Sequence, residues 1–231
     1  QSRVQQKKRH QYIDKVHVHH SEREKRHWAE MQNFGSKRIA KDAYCEHLLS
    51  GSPDFRGMHV VLDCANGAAS LLAPWIISRT GAKVSVLGAE PTGHNINESC
   101  GALYPEKVSH HIHGHQADFG VSFDGDADRA VFVDENGGVI DGDAILYLNA
   151  IYLREKGLLN QNTLVATDYS TTALDDLLER EHIHVLREEC GDRNVYYAMK
   201  RHGYSFGGEN SGHLIFPGKS TGDGIYSALM L

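Results

Sequence analysis

The chain has little cysteine, little proline and few aromatics: 4 Cys, 5 Pro and 8 % Phe, Trp and Tyr in 231 residues. Its cysteines, Cys45, Cys64, Cys100 and Cys190, stand far apart with no Cys-x-x-Cys pair. That spacing excludes a zinc ribbon and a disulfide framework, and it fits reduced thiols in a cytoplasmic protein. There is no signal-peptide pattern and no apolar run long enough to span a bilayer, so no membrane partner is expected. The Asn97-Glu98-Ser99 sequon therefore carries no meaning. An excess of positive charge is missing too. With 24 Lys and Arg against 30 Asp and Glu, nothing electrostatic favours nucleic acid or an anionic surface.

What the chain does have is Ser122-Phe123-Asp124-Gly125-Asp126-Ala127-Asp128-Arg129, directly after the apolar Phe119-Gly120-Val121. Three like charges in five residues repel, and neither Asp nor Gly favours continuing a strand. The run becomes favourable when a hard divalent cation sits among the oxygens, because Mg²⁺ and Ca²⁺ prefer carboxylate ligands. Gly125 and Ala127 let the loop curl so that alternate acids, Asp124, Asp126 and Asp128, aim inward. A solvated acidic turn is the bland alternative. An EF-hand is a closer one, since Glu135 falls at the twelfth position, but Arg129 stands where the sharp turn needs Gly. The following Ala130-Val131-Phe132-Val133 is strand-like where that motif needs a helix. A phosphatase with an Asp nucleophile would carry Thr or Val where Asp128 stands.

The remaining pattern divides the chain into three. Residues 1–34 are polar and read as a solvated segment; His17, His19 and His20 lie there without a spaced carboxylate or Cys partner. Residues 35–141 alternate β and α: a short helix near Tyr44 to Leu49, strands at 58–63, 83–87 and 118–123, helices to Arg79 and near 105–115, and a hairpin across Glu135-Asn136-Gly137. Residues 142–231 repeat that βαβ logic, with strands at 163–167 and 183–186 and helices near 145–152, 171–181 and 192–200. The expected fold class is α/β, with two consecutive three-layer α/β/α domains carrying mixed sheets. His110, His111, His113 and His115 fall on a surface helix. The chain opens at Gln1 without Met and stops at Leu231 within the apolar pattern Ile225, Ala228, Leu229, as a piece of a longer protein would.

A second site is expected at Gly207-Gly208-Glu209-Asn210-Ser211-Gly212-His213, between two short apolar runs. It places an acid, an amide, a hydroxyl and an imidazole on one glycine-framed turn, a set suited to sugar hydroxyls. The glycines permit positive φ and close approach of a ligand; an ordinary polar hairpin is the alternative. Gly191-Asp192-Arg193 opens a helix, where backbone N–H groups and Arg193 could meet a phosphate, or Asp192 could simply cap it. Thr221-Gly222-Asp223-Gly224 reads as a turn and cap before the last helix.

Together these segments resemble the α-D-phosphohexomutases. Asp63-Cys64-Ala65-Asn66-Gly67-Ala68, the Pro91-Thr92-Gly93-His94-Asn95-Ile96-Asn97 loop with Cys100-Gly101, and Cys190-Gly191-Asp192-Arg193 are similar to the bacterial phosphoglucosamine mutases. The resemblance covers about residues 35 to 231. It implies a Mg²⁺-dependent isomerase that interconverts glucosamine 6-phosphate and glucosamine 1-phosphate, on the way to UDP-N-acetylglucosamine, through an enzyme phosphoserine and a bisphosphate. On this resemblance Asp124, Asp126 and Asp128 bind Mg²⁺ and Arg129 steadies the transferring phosphoryl group. Glu209, Asn210 and Ser211 hold the sugar, with Gly191, Asp192 and Arg193 beside it, and His213 handles a proton or positions the transferred group. The family's Thr-Ala-Ser-His-Asn-Pro-like serine loop and Arg-Pro-Ser-Gly-Thr-like phosphate clamp do not occur in these residues, and Asp168-Tyr169-Ser170-Thr171-Thr172-Ala173 replaces the usual Met-Ser-Asn-x-Gly. The expected partners are thus a phosphorylated amino sugar and the first and fourth domains of the same polypeptide, with a homodimer compatible; this piece alone is expected to be inactive.

Overall fold

The computed structural model describes the backbone from Gly35 to Leu231 and the side chains from Ala40 onward. The polar segment 1–34 and its His17, His19 and His20 lie outside the described residues. The chain first forms helix α1 (Gly35–Leu49), which ends before Gly51-Ser52-Pro53.

The first sheet is built from β1 (His59–Asp63), β2 (Lys83–Leu87), β3 (Phe119–Phe123), β4 (Ala130–Val133) and β5 (Val139–Ile140), in the order β2-β1-β3-β4-β5. β1 and β3 are buried at every position, as expected of central strands whose residues read as near-continuous apolar runs. β1 runs parallel to both neighbours, with Val60 opposite Val84 and Phe119. β4 and β5 turn back antiparallel. Helices α2 (Ala69–Arg79) and α3 (Glu106–His115) provide the crossovers. Val108 and Ile112 of α3 pack on Val61 and Val133, each such burial contributing about 1.5–3 kcal/mol. Gly120 leaves room for Val108, whose side chain occupies the place a Cβ would take.

The second sheet repeats the plan with β6 (Thr163–Thr167), β7 (His184–Glu188), β8 (Phe206–Gly208) and β9 (Leu214–Ile215), ordered β7-β6-β8-β9. The first three are parallel and β9 is antiparallel to β8. Helices α4 (Gly142–Glu155), α5 (Ala173–Arg180) and α6 (Asp192–His202) accompany it, and α7 (Gly224–Leu229) follows. Val195, Ala198 and Met199 give α6 its buried face, at helical spacing, against Val165 and Ile215. β8 continues through Gly207 and Gly208, which the sequence assigned to a turn. A side chain at Gly207 would meet Val195 Cγ1 at 2.8 Å and Met199 Sδ at 3.0 Å, so glycine here serves close packing of α6. α7 leaves the second sheet and packs against β4 and α2 of the first. A strand follows the acidic loop, which rules out an EF-hand. No helix among the described residues is long and apolar enough to cross a membrane.

In both sheets the chain leaves a central strand to one side and returns on the other. The order reverses between β1 and β3, and again between β6 and β8. Open α/β sheets bind ligands at such reversals, beyond the carboxyl ends of the strands.

Candidate functional site

The acidic loop emerges from β3 at the first reversal. Its far side rests on the turn after β1: Ala68 N–H donates to Gly125 O at 2.9 Å. That turn is fixed by Asp63, a fully buried carboxylate accepting from Ala65 N–H at 3.0 Å and Gly101 N–H at 2.8 Å. Ala127 takes φ +63°, the left-handed bend that curls the loop. One oxygen each of Asp124, Asp126 and Asp128 then lie within 4.8 Å of one another.

Charges that close repel by about 1 kcal/mol per pair in water and up to about 4 where the local dielectric is lower. Among the described residues, Arg129 is the arginine that faces them. Arg129 donates from Nε to Asp124 Oδ2 at 2.8 Å and from its backbone N–H to Oδ1 at 3.2 Å. Burial works to raise the Asp124 carboxyl, but the Arg129 backbone N–H and guanidinium outweigh it and hold it below the usual range. Asp128 moves the other way, raised by burial and then by the Asp124 charge. Burial opposes the charge of Arg129, yet Asp124 keeps its pKa above the ordinary value. Oδ1 of Asp128 is buried with no hydrogen bond. A buried oxygen without a hydrogen bond, 3.6 Å from Arg129 Nε and beside two further carboxylates, fits a hard divalent cation, which takes oxygen ligands; Asp124, Asp126 and Asp128 could hold it.

The glycine-framed turn follows β8, at the second reversal. Glu209 N–H donates to His213 O at 2.9 Å and Gly212 N–H to Glu209 O at 3.0 Å, closing the turn. Ser211 Oγ lies 3.5 Å from Glu209 Oε2. Glu209 Oε1 accepts from Gly191 N–H at 2.9 Å, so this carboxylate joins the turn to the start of α6. Gly191, at φ +132°, is the capping residue; Asp192 and Arg193 are the first helical residues and are exposed. Asn210 Nδ2 donates to Tyr169 O at 3.3 Å, bringing the loop after β6 alongside. That loop is itself braced: Arg187 donates to the carbonyls of Thr167, Ser170 and Thr171 at 2.9, 2.7 and 2.8 Å, and Asp143 accepts from Thr171 N–H at 2.6 Å.

The two loops meet. Arg129 and His213 form an antiparallel bridge, and Ala130 N–H donates to Gly212 O at 3.2 Å. His213 Nδ1 stands 3.2 Å from Asp128 Oδ2. Gly224 N–H donates to Ala127 O at 2.9 Å, and Gly222 N–H to His213 Nε2 at 2.9 Å. Asp223 caps α7, accepting from Tyr226 N–H at 2.9 Å, as the sequence predicts. The flanking glycines are more than a turn, because a side chain on Gly222 would meet Asp128 O at 2.6 Å and one on Gly224 would meet Arg129 O at 2.7 Å. Their only sequence signal is the pair of glycines around an acid. Elsewhere a cavity of about 660 Å³ opens beside α3, lined by Cys100, Lys107, His111 and His115 among others. None of the loop carboxylates, nor Glu209, lines it, so it is separate from this site.

Residues 42–138 match the model of phosphoglucomutase/phosphomannomutase α/β/α domain II, and residues 141–231 that of domain III. The chain is 49 % identical over 179 residues to the phosphoglucosamine mutase of Halalkalibacterium halodurans, covering 77 % of this chain and 40 % of that protein. It is 48 % identical over 202 residues to the phosphoglucosamine mutase of Campylobacter fetus, covering 85 % and 45 %. The chain thus spans less than half the length of these curated relatives. A phosphoglucomutase/phosphomannomutase family protein from Burkholderia thailandensis superposes with TM-score 0.75 at 25 % identity, over 82 % of this chain and 42 % of that one. Aspergillus fumigatus N-acetylphosphoglucosamine mutase, solved with GlcNAc-6P and magnesium, shares the fold at TM-score 0.61 and 21 % identity, over 81 % and 48 %. The chain belongs to the phosphoglucomutase/phosphomannomutase family and carries its domains II and III.

Proposed function

We propose that this chain is the metal-loop and sugar-loop portion of a phosphoglucosamine mutase, interconverting glucosamine 6-phosphate and glucosamine 1-phosphate. The observation that carries the proposal is the junction of the two loops: the acids of 124–128 and the turn of 208–213 are joined through Arg129, Ala130, Gly212 and His213. The overlap with phosphoglucosamine mutases at 48–49 % identity favours this substrate over a mannose or glucose phosphate.

Phosphoryl transfer needs charge neutralisation and in-line positioning more than covalent chemistry from the protein. Asp124, Asp126 and Asp128 would hold Mg²⁺, which when bound would supply positive charge beside the transferring group. Arg129 keeps Asp124 ionised and presents a guanidinium at the loop's rim, with its side chain 44 % exposed. Glu209, braced by Gly191, accepts from two neighbouring sugar hydroxyls, while Ser211 and Asn210 complete the set. Arg193 and the N–H groups at the start of α6 face the non-transferring phosphate. The group transferred comes from a phosphoserine and returns to it after the bisphosphate reorients, and no serine loop of the family type lies in these 231 residues.

The test is calorimetry of the purified chain with Mg²⁺ and with glucosamine 6-phosphate, beside a mutase assay. Binding of both without turnover is expected. Failure to bind the phosphosugar in the presence of Mg²⁺ overturns the sugar-loop assignment, and turnover by this chain alone overturns the placement of the serine outside it.

A further inference from the structure

The four histidines of α3 take no part in the site above, and two of them meet. His111 and His115 stand one helical turn apart, where side chains at i and i+4 share a face. Their rings stack with centroids 3.9 Å apart, 12° from parallel. His115 Nδ1 lies 3.0 Å from the His111 carbonyl oxygen. A carbonyl only accepts, so Nδ1 carries the proton and Nε2 of the neutral ring keeps its lone pair. Metal-bound histidines are held in this way, the nitrogen that does not ligate donating to a backbone carbonyl or a carboxylate. We propose that His111 and His115 form a two-imidazole site for a borderline divalent cation such as Zn²⁺, separate from the acid loop.

The cavity beside α3 gives such an ion room. Val108 and Ile112 face the first sheet, while His111 and His115 line the cavity from the same helix. Its lining also carries Asp63, Glu90 and Glu98 against Lys107 alone, so with neutral imidazoles it favours a cation over an anion. Two charged rings this close would repel, which favours the neutral, ligating form. Imidazole nitrogen suits Zn²⁺, Ni²⁺ and Cu²⁺, whereas an all-carboxylate loop suits Mg²⁺. Paired histidines at i and i+4 on one helix face are a zinc-binding arrangement in their own right. Among the described residues, three ligating groups converge within 4.8 Å only in the acid loop, so water or a small ligand completes the coordination here. His115 is anchored by its backbone bond, and the His111 ring is the one that turns to bring its nitrogen to the ion. His113, on the same helix, lies elsewhere: a Cβ on Gly137 would meet its Nε2 at 2.6 Å.

The experiment uses the whole 231-residue chain, with Mg²⁺ in excess to occupy the acid loop and Zn²⁺ alone as the probe. ¹⁵N-histidine NMR reads the site residue by residue, which matters because residues 1–34 carry histidines of their own. Substoichiometric Zn²⁺ should move the Nε2 resonances of His111 and His115 together, ahead of His113 and the histidines of 1–34. His115 is exposed, so His115→Ala should melt close to the wild type. Read at His111, its Zn²⁺ affinity should fall by about tenfold or more, since even an outer partner of a metal ligand is worth about 10–100-fold. His113→Ala should leave that affinity unchanged. Zn²⁺ that moves other histidines first, or that leaves every histidine of α3 in place, overturns the proposal. So does a His115→Ala chain with wild-type affinity at His111. Should that variant not fold, the order of shifts in the wild type decides.

Discussion

Arg129 turns back on Asp124, the most buried acid of the loop, with both its backbone N–H and its Nε. Removing the guanidinium leaves a largely buried carboxylate short of a charged partner. Arg129→Ala should therefore cost about 1.5–3 kcal/mol, the range for a hydrogen bond to a charged group. Mg²⁺ should recover part of the loss by neutralising the same carboxylate. Denaturant unfolding with EDTA and with Mg²⁺ measures both; a loss of the same size in the two conditions would argue against a cation among these acids.

Asp126 separates the effect of charge from the effect of the ion. It is exposed, and it adds to a cluster whose oxygens lie within 4.8 Å. Without metal, Asp126→Asn relieves repulsion and should stabilise the chain by about 0.5–1 kcal/mol. With Mg²⁺ at about 100 times its dissociation constant, the wild type gains about 2.7 kcal/mol, and the variant loses most of that gain. The sign of the mutational effect should thus reverse between EDTA and Mg²⁺ in thermal melts. A variant less stable than wild type in both conditions contradicts the metal-loop assignment.

Asp63 tests the platform beneath the loop. Its two oxygens satisfy two backbone N–H groups, of Ala65 and Gly101, in a fully buried position. Each donor left unpaired costs about 1–3 kcal/mol, so Asp63→Ala should cost about 2–6 kcal/mol. Asp63→Asn keeps one acceptor and should lie between. Urea unfolding checks the order, and an Asp63→Ala loss under about 1 kcal/mol would mean that neither bond matters to the fold.

His59 gives the fold a pH dependence away from the metal loop. Its ring is nearly buried and Nε2 lies 2.8 Å from Ser85 Oγ. Burial lowers its pKa, helped by Lys83 and the charge of His115; a His115 backbone hydrogen bond and Asp118 pull the other way. His111 is lowered in the same manner, by burial and then by His115 and His59. A histidine depressed in the folded state contributes stability that is present above the unfolded pKa of about 6.5 and is lost as pH falls through the folded one. Melting temperature should fall as pH drops from 7 toward 5, and His59→Asn should flatten that fall. Asp124, held below the usual carboxylate range, loses its contribution only at lower pH, so the two windows are distinct.

How much of this was open to the sequence depended on distance along the chain. β1 and β3 could be read because a central strand buried on both faces is a continuous apolar run, Val60-Val61-Leu62 and Phe119-Gly120-Val121. The acid loop could be read because all three ligands lie within five residues. Glu209 reads in the sequence as an acceptor for sugar hydroxyls; that it receives Gly191 N–H from the start of α6 follows from the parallel pairing around β6, which no local pattern shows. His213 and Asp128 come from different sheets, and nothing local to either names the other. The loop after β6, Asp168 to Ala173, departs from the usual family motif, and its brace, Arg187, comes from the next strand.

Gly224 shows what such long-range fitting demands. Its N–H reaches Ala127 O at 2.9 Å, and a Cβ there would meet Arg129 O at 2.7 Å and Ala127 O at 3.0 Å. Those neighbours are backbone, which cannot step aside as a flexible side chain would. Gly224→Ala must push α7 and the acid loop apart, at a cost of about 1–3 kcal/mol typical of overpacking. Gly218 is the control: it also lies in this last segment, but nothing stands within 4 Å of its would-be Cβ, and its φ of +78° makes alanine strained for backbone reasons alone. Both variants should therefore melt lower, by different routes. Only Gly224→Ala should weaken Mg²⁺ binding, since only it crowds the Ala127 and Arg129 carbonyls of the acid loop. Calorimetric titration of the two variants with Mg²⁺ distinguishes them, and equal affinity in both would mean that the α7 cap supports the fold without shaping the acid loop.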